Sequence, residues 1–181
     1  MKLLIINFDN KNHNNKMLPM KRVFYNFNTI LHNSKTKIFP KNFYLLKFDG
    51  YNEEKTEISV GGAVLYKNEI EIWSDAKFIG HNKSNIYSQY MGLIIGLNKA
   101  VNMGISELLV ESNSLLIIHY MIGKNKPSTP DIVDLHKITM DLKLKFSNIH
   151  FNHIQSIDNQ RVQELCKNEM IKIKNFYDYV K

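Results

Sequence analysis

Residues 84–122, SNIYSQYMGLIIGLNKAVNMGISELLVESNSLLIIHYMI, decide the fold, because this one stretch passes from helix to strand and back to helix. From Asn85 onward, Ile86, Tyr90, Leu93, Leu97, Ala100 and Val101 fall at i, i+4, i+7, i+11, i+14 and i+15, the single apolar stripe of an amphipathic helix. Gly104 ends it. The run SELLVESN, residues 106–113, reads as a buried strand, and Ser114–Ile122 as a short helix stopped by Gly123.

Upstream, FYLLKFD (43–49) is apolar and β-prone and is expected to end at Gly50. After the polar loop YNEEKTE, a second strand ISVGGAVLY (58–66) leads through a turn at Lys67-Asn68 to a third, EIEIWSDAKFI (69–79). Downstream, KNKPSTP is a loop broken by Pro127 and Pro130. Asp131–Phe146 is helical, with Ile132, Leu135, Ile138, Leu142 and Phe146 on one side. Strand NIHFNHIQ (148–155) follows, and a last helix runs from near Asn159 toward Tyr177. The order βββ-α-β-α-α-β-α, with no internal repeat, implies an α/β domain. Its five-stranded mixed sheet is flanked by helices, the first three strands antiparallel and the rest added in parallel through helical crossovers. We assign this domain to residues 43–178 and treat residues 1–42 as an appended segment.

That segment holds the positive charge. Of the net +7, residues 1–48 carry nine Lys/Arg against one Asp, while the remainder carries fifteen against sixteen acids. Lys21, Arg22, Lys35, Lys37 and Lys41 alternate there with Phe24, Tyr25, Phe27, Phe39 and Phe43, a mixture suited to holding phosphates and stacking bases, or to docking on the domain. No apolar run approaches the roughly 20 residues of a membrane span, and MKLLIINFD meets charge before a signal-type apolar region forms. An intracellular protein, cytoplasmic or nuclear, with no membrane partner is expected. Cys166, the lone cysteine, builds no disulfide framework and reads as a small buried hydrophobe. The chain is rich in Asn, Lys and Ile, so single Asn or Lys residues carry little weight by themselves.

Four motifs, in order, resemble the ribonuclease H family over Tyr44–Met170. FDG resembles its first-strand motif, in which the Asp before Gly is a metal ligand. SNIYSQYMGLIIGLNKAVNMGI is similar to T-N-N-x-A-E-x-x-A/G-L-x-x-G-L, LLVESNSLLII to V-E-S-D-S-L-L-V, and HIQSIDNQRVQELCKNEM to H-x-x-R-x-x-N-x-x-A-D-x-L-A-N. The resemblance implies an RNase H-like sheet and hydrolysis of RNA in RNA/DNA hybrids by two metal ions. Four carboxylates there cancel the charge of two hard divalent cations. The matching positions here are Asp49, Gln89, Asn113 and Gln163, and only Asp49 is acidic. An amide offers a carbonyl oxygen without charge, so two-metal occupancy should be lost. No cofactor is then expected, with Mg²⁺ or Mn²⁺ at Asp49 only if activity remains. Near-isosteric amides hydrogen-bond where carboxylates repel, so the fold can survive the exchange.

Neighbouring acids offer little rescue. Glu111 shares a strand face with Asn113, but the family motif also carries an acid there. Glu164, about 100° around the helix from Gln163, should aim elsewhere, which leaves Asp158 as the nearest substitute. By the resemblance, Gly50, Ser84 and Asn85 should contact nucleic acid, supplemented by Lys21 and Arg22, although Ile86 cannot replace a polar member of the T-N-N triplet. Glu53, Glu54 and Glu57 would repel phosphate. Gly61 and Gly62 read as tight packing or a bulge, His153 as a core or rim side chain, and Tyr66 and Trp73 as packing aromatics. Three functions follow: a non-catalytic or impaired RNase H homologue binding RNA/DNA hybrid or structured RNA weakly; an active metal-dependent ribonuclease H centred on Asp49; and a protein-interaction scaffold, for which the sequence names no partner.

Overall fold

The computed structural model describes residues 4–6, 23–25 and 43–180. The chain divides into two units, Met1–Lys41 and Asn42–Lys181. In the first, Leu4–Ile6 pairs antiparallel with Val23–Tyr25. Lys21, Arg22, Phe27, Lys35, Lys37, Phe39 and Lys41 lie outside the described residues.

The second unit carries β1 (Tyr44–Asn52), β2 (Ile58–Lys67), β3 (Ile70–His81), α1 (Asn85–Asn102), β4 (Glu107–Ser112), α2 (Leu115–Met121), α3 (Pro130–Lys143), β5 (Asn148–His153) and α4 (Gln160–Tyr179). The sheet order is β3-β2-β1-β4-β5, with β1, β2 and β3 antiparallel and β4 parallel to both β1 and β5. This is the five-stranded mixed sheet expected from the element order. Leu46, Phe48, Leu65, Tyr90, Leu93, Leu97, Val110 and Ile117 form the larger core, to which α1, α2 and α3 contribute. Val60, Val64, Ala76, Val162, Cys166 and Met170 form a second core beneath α4. Cys166 is fully buried there, as a small apolar side chain.

Several boundaries differ from expectation. β1 runs past Gly50 to Asn52, because its ladder with β2 continues to Asn52↔Ser59. The β2–β3 turn is Asn68-Glu69, with φ of 50° and 67°, the two left-handed residues that a tight hairpin requires. Pro130 opens α3 at its first turn, where a missing N–H costs nothing, and α3 ends at Lys143 rather than Phe146. A 3₁₀ turn, Ser156–Asn159, precedes α4.

Helix α1 crosses the sheet where glycines face each other. A β-carbon on Gly92 would collide with the carbonyl oxygens of Asp49 and Gly62, and one on Gly50 with the backbone of Ser88 and Gln89. Gly61 packs against the same helix, and Gly62 beneath Cys166, so both glycines serve close packing. Gly92→Ala is expected to destabilise the domain by about 1–3 kcal/mol through overpacking, read from urea midpoints. Glu69→Gly should stabilise it by about 1 kcal/mol by relieving left-handed backbone strain. An unchanged midpoint in either variant would contradict the corresponding contact or turn.

Candidate functional site

Asp49 is buried at 5% exposure on β1. Its Oδ1 accepts from the Gly50 backbone N–H at 2.8 Å and from Gln89 Nε2 at 3.4 Å, and Gln163 also hydrogen-bonds the carboxylate. Burial raises its pKa more than these donors lower it. The same burial, with Asp49 nearby, pushes the Cys166 thiol up to about 12.

Two hydrogen-bonded chains fix the surrounding amides. Ser114 Oγ donates to Gln89 Oε1 at 2.7 Å, which leaves the Gln89 NH₂ to face Asp49. Asn159 is fully buried and its Nδ2 donates both to the Phe48 carbonyl at 3.0 Å and to Asn113 Oδ1 at 2.7 Å. Because the Phe48 carbonyl only accepts, the Asn159 amide has one workable orientation, and its Oδ1 is left without a partner. Gln163 Nε2 also donates to Ser156 Oγ at 2.9 Å.

Asp49, Gly50, Asn85, Gln89, Asn113 and Gln163 come together around one open cleft of about 480 Å³, completed by Tyr51, Gln160, Glu164 and Lys167. Ser84 instead caps α1, its Oγ accepting from Tyr87 N–H at 3.2 Å. Glu164 lines the cleft, contrary to the expectation that it aims elsewhere. Gln160, Gln163, Glu164 and Lys167 fall at i, i+3, i+4 and i+7 and form one stripe of α4 facing the cleft. Glu111 is already engaged: Lys47 Nζ lies 3.9 Å away and Asn152 Nδ2 donates to it at 3.2 Å. Asp158 does not line the cleft, and its backbone carbonyl accepts from Lys47 Nζ at 2.6 Å. His153 is an exposed side chain at the end of β5. Trp73 packs on the larger core and Tyr66 on the second. Glu53 is tied down by Thr56 Oγ1 at 2.7 Å. Gln160, Lys167 and Asn159 had no distinguishing signal in an Asn- and Lys-rich sequence, beyond the match of Asn159 to the Asn of the fourth motif.

The donor set does not fit a pair of divalent ions. Of the four positions that match the family's carboxylates, one is acidic, and its Oδ1 already accepts from two N–H donors. Among the described residues, no group of three or more His, Cys, Asp or Glu is placed to hold a metal. No described helix is long and apolar enough to cross a membrane.

The mixed sheet, the crossover helices and the cleft at Asp49 define an RNase H-like domain. A family model described as reverse transcriptase-like matches residues 47–169, and the chain belongs to that family. Bifunctional protein Rv2228c of Mycobacterium tuberculosis is 30% identical over 110 residues, 61% of this chain and 30% of that protein, so the chain spans under a third of that relative's length. Among solved structures, the N-terminal RNase H domain of Rv2228c, fused to maltose-binding protein, superposes with a TM-score of 0.70 at 24% identity, covering 75% of this chain and 99% of that one. RNase H1 from the halophilic archaeon Halobacterium salinarum gives 0.67 at 20% identity, covering 71% and 98%. LC11-RNase H1 in complex with an RNA/DNA hybrid gives 0.66 at 23%, covering 72% and 98%. The fold is that of ribonuclease H.

Because burial raises the Asp49 pKa, ionising this carboxylate works against folding. The penalty is absent below the ordinary value of 3.8 and grows as pH rises from there through the folded-state value. Asp49→Asn is therefore expected to melt above wild type at pH 7, with the gap closing as pH falls toward 3.8. A gap that does not change with pH would remove the role given to burial.

Proposed function

We propose that this chain is an RNase H-type nucleic-acid-binding protein whose hydrolytic site is dead or impaired. One observation carries the reading: where the family's mechanism needs four metal-binding carboxylates, this cleft has Asp49 held by N–H donors and three amides at Gln89, Asn113 and Gln163. Falling from about four negative charges to one removes most of the attraction for two divalent ions, whose mutual repulsion is unchanged. The ligand class is an RNA/DNA hybrid or structured RNA, bound weakly and without a required cofactor. The resemblance of FDG and SNIYSQYMGL to substrate-contacting family motifs supports that class, as does the likeness to a ribonuclease H solved with a hybrid. Gly50 and Asn85, both on the cleft, are the contacts proposed within the domain, and Lys21 and Arg22 those of the basic segment. Binding should fall steeply with salt.

A second reading, metal-dependent cleavage, draws on Glu164 lining the same cleft as Asp49. The two separate in one assay. A labelled RNA/DNA hybrid is incubated in Mg²⁺ and separately in Mn²⁺ with wild type, Asp49→Asn, and the triple variant Gln89→Glu, Asn113→Asp, Gln163→Asp. We expect wild type to be inert and the triple variant to cleave. Cleavage by wild type that vanishes in Asp49→Asn would establish the second reading instead.

A further inference from the structure

Loss of the carboxylates has changed the polarity of the cleft as well as its charge. The Phe48 carbonyl fixes Asn159 with its NH₂ toward Asn113, so Asn113 must present Oδ1 to Asn159 and turn its own NH₂ away. That NH₂ has no partner among the described residues, and Asn113 lines the cleft. Where the family places a metal-binding acceptor, this chain presents a donor. The unpartnered, fully buried Asn159 Oδ1 follows from the same arrangement: turning the amide to satisfy it would set oxygen against the Phe48 oxygen.

A second donor lies in the same cleft. Lys167 is one turn beyond Gln163 on α4, on the same helix face, and is the only cation among the cleft-lining residues. It is exposed and makes no ion pair or hydrogen bond among the described residues. Two carboxylates line the cleft: Asp49 is buried and already engaged by N–H donors, and Glu164 is exposed, where solvent screens its charge.

We infer that Lys167 and the Asn113 amide form a metal-independent receptor for a nucleic-acid phosphodiester, the ammonium supplying the positive charge that metal ions supply in a hydrolytic site. Asn85, also on the cleft and with its side-chain amide unpartnered among the described residues, adds a further donor at the rim. This rests on the nucleic-acid-binding reading and names the groups that hold the backbone. No bond is broken: the phosphodiester is gripped, not cleaved.

The test is fluorescence anisotropy with a labelled RNA/DNA hybrid in EDTA across a salt series, using the full chain and Lys167→Gln, Lys167→Arg, Asn113→Asp and, as a remote control, Lys126→Gln. Lys167→Gln should weaken binding roughly five- to tenfold and lower the salt slope by about one, whereas Lys167→Arg retains most of the affinity. Asn113→Asp, which replaces donor by anion, should also weaken binding in EDTA and regain part of it on adding Mg²⁺. Thermal melts establish that each variant is folded. If wild type binds in EDTA while Lys167→Gln and Asn113→Asp bind equally well, the receptor is refuted and the nucleic-acid-binding reading stands. If folded wild type binds no hybrid at any salt, that reading falls and the receptor with it.

Discussion

The contact on which the site depends is between backbones. At Gly92, α1 presses against the carbonyls of Asp49 and Gly62, and at Gly50 the strand meets the backbone of Ser88 and Gln89. No side chain separates helix from sheet there, so a long polar side chain at residue 89, Gln89 here, reaches residue 49. The spacing that would let carboxylates share metal ions equally lets an amide donate to a carboxylate. The scaffold thus tolerates a change of chemistry without moving, because small residues at the crossing set the distance and functional side chains do not.

Around Asp49 the cleft presents a set of oriented dipoles. Two amides in the cleft have a direction imposed from behind: Gln89 by the Ser114 hydroxyl, and Asn113 by Asn159, itself fixed by a main-chain carbonyl that can only accept. Oriented N–H groups stabilise the buried Asp49 charge in part, though burial still raises its pKa. The orphaned Asn159 oxygen marks where this wiring conflicts with itself, at a desolvation cost of about 1–3 kcal/mol.

Much of the fold was legible because its strongest signals are periodic. The stripe from Ile86 to Val101 and the apolar strands fixed element order, and order with the handedness of crossovers left few topologies. Boundaries were less legible where a residue did something atypical for its type. Glu69 adopts a left-handed turn that sequence rules reserve for Gly or Asn, and Gly50 serves helix contact rather than strand termination. Of the residues expected at the site, those tied to the sheet and helix crossings arrived together in the cleft, whereas Ser84 was drawn off to cap α1. Glu164 was misjudged because the angle was taken from Gln163 alone, whereas the stripe facing the cleft, Gln160, Gln163, Glu164 and Lys167, is centred between the two residues. Lys167 and Asn159 were hidden by composition, since in a chain full of Lys and Asn only position distinguishes a wired residue from a background one.

The hydrogen-bond polarity also explains why the amides form a set. Restoring a carboxylate at residue 113 alone would keep its bond to Asn159, which donates to either group, yet would add a negative charge to a cleft where Asp49 and Glu164 already face a single cation, Lys167. Restoring one at residue 89 would cost more, since the N–H that now faces Asp49 becomes an oxygen. Each single step back toward a metal site is therefore opposed until enough carboxylates are present to recruit the ions that neutralise them.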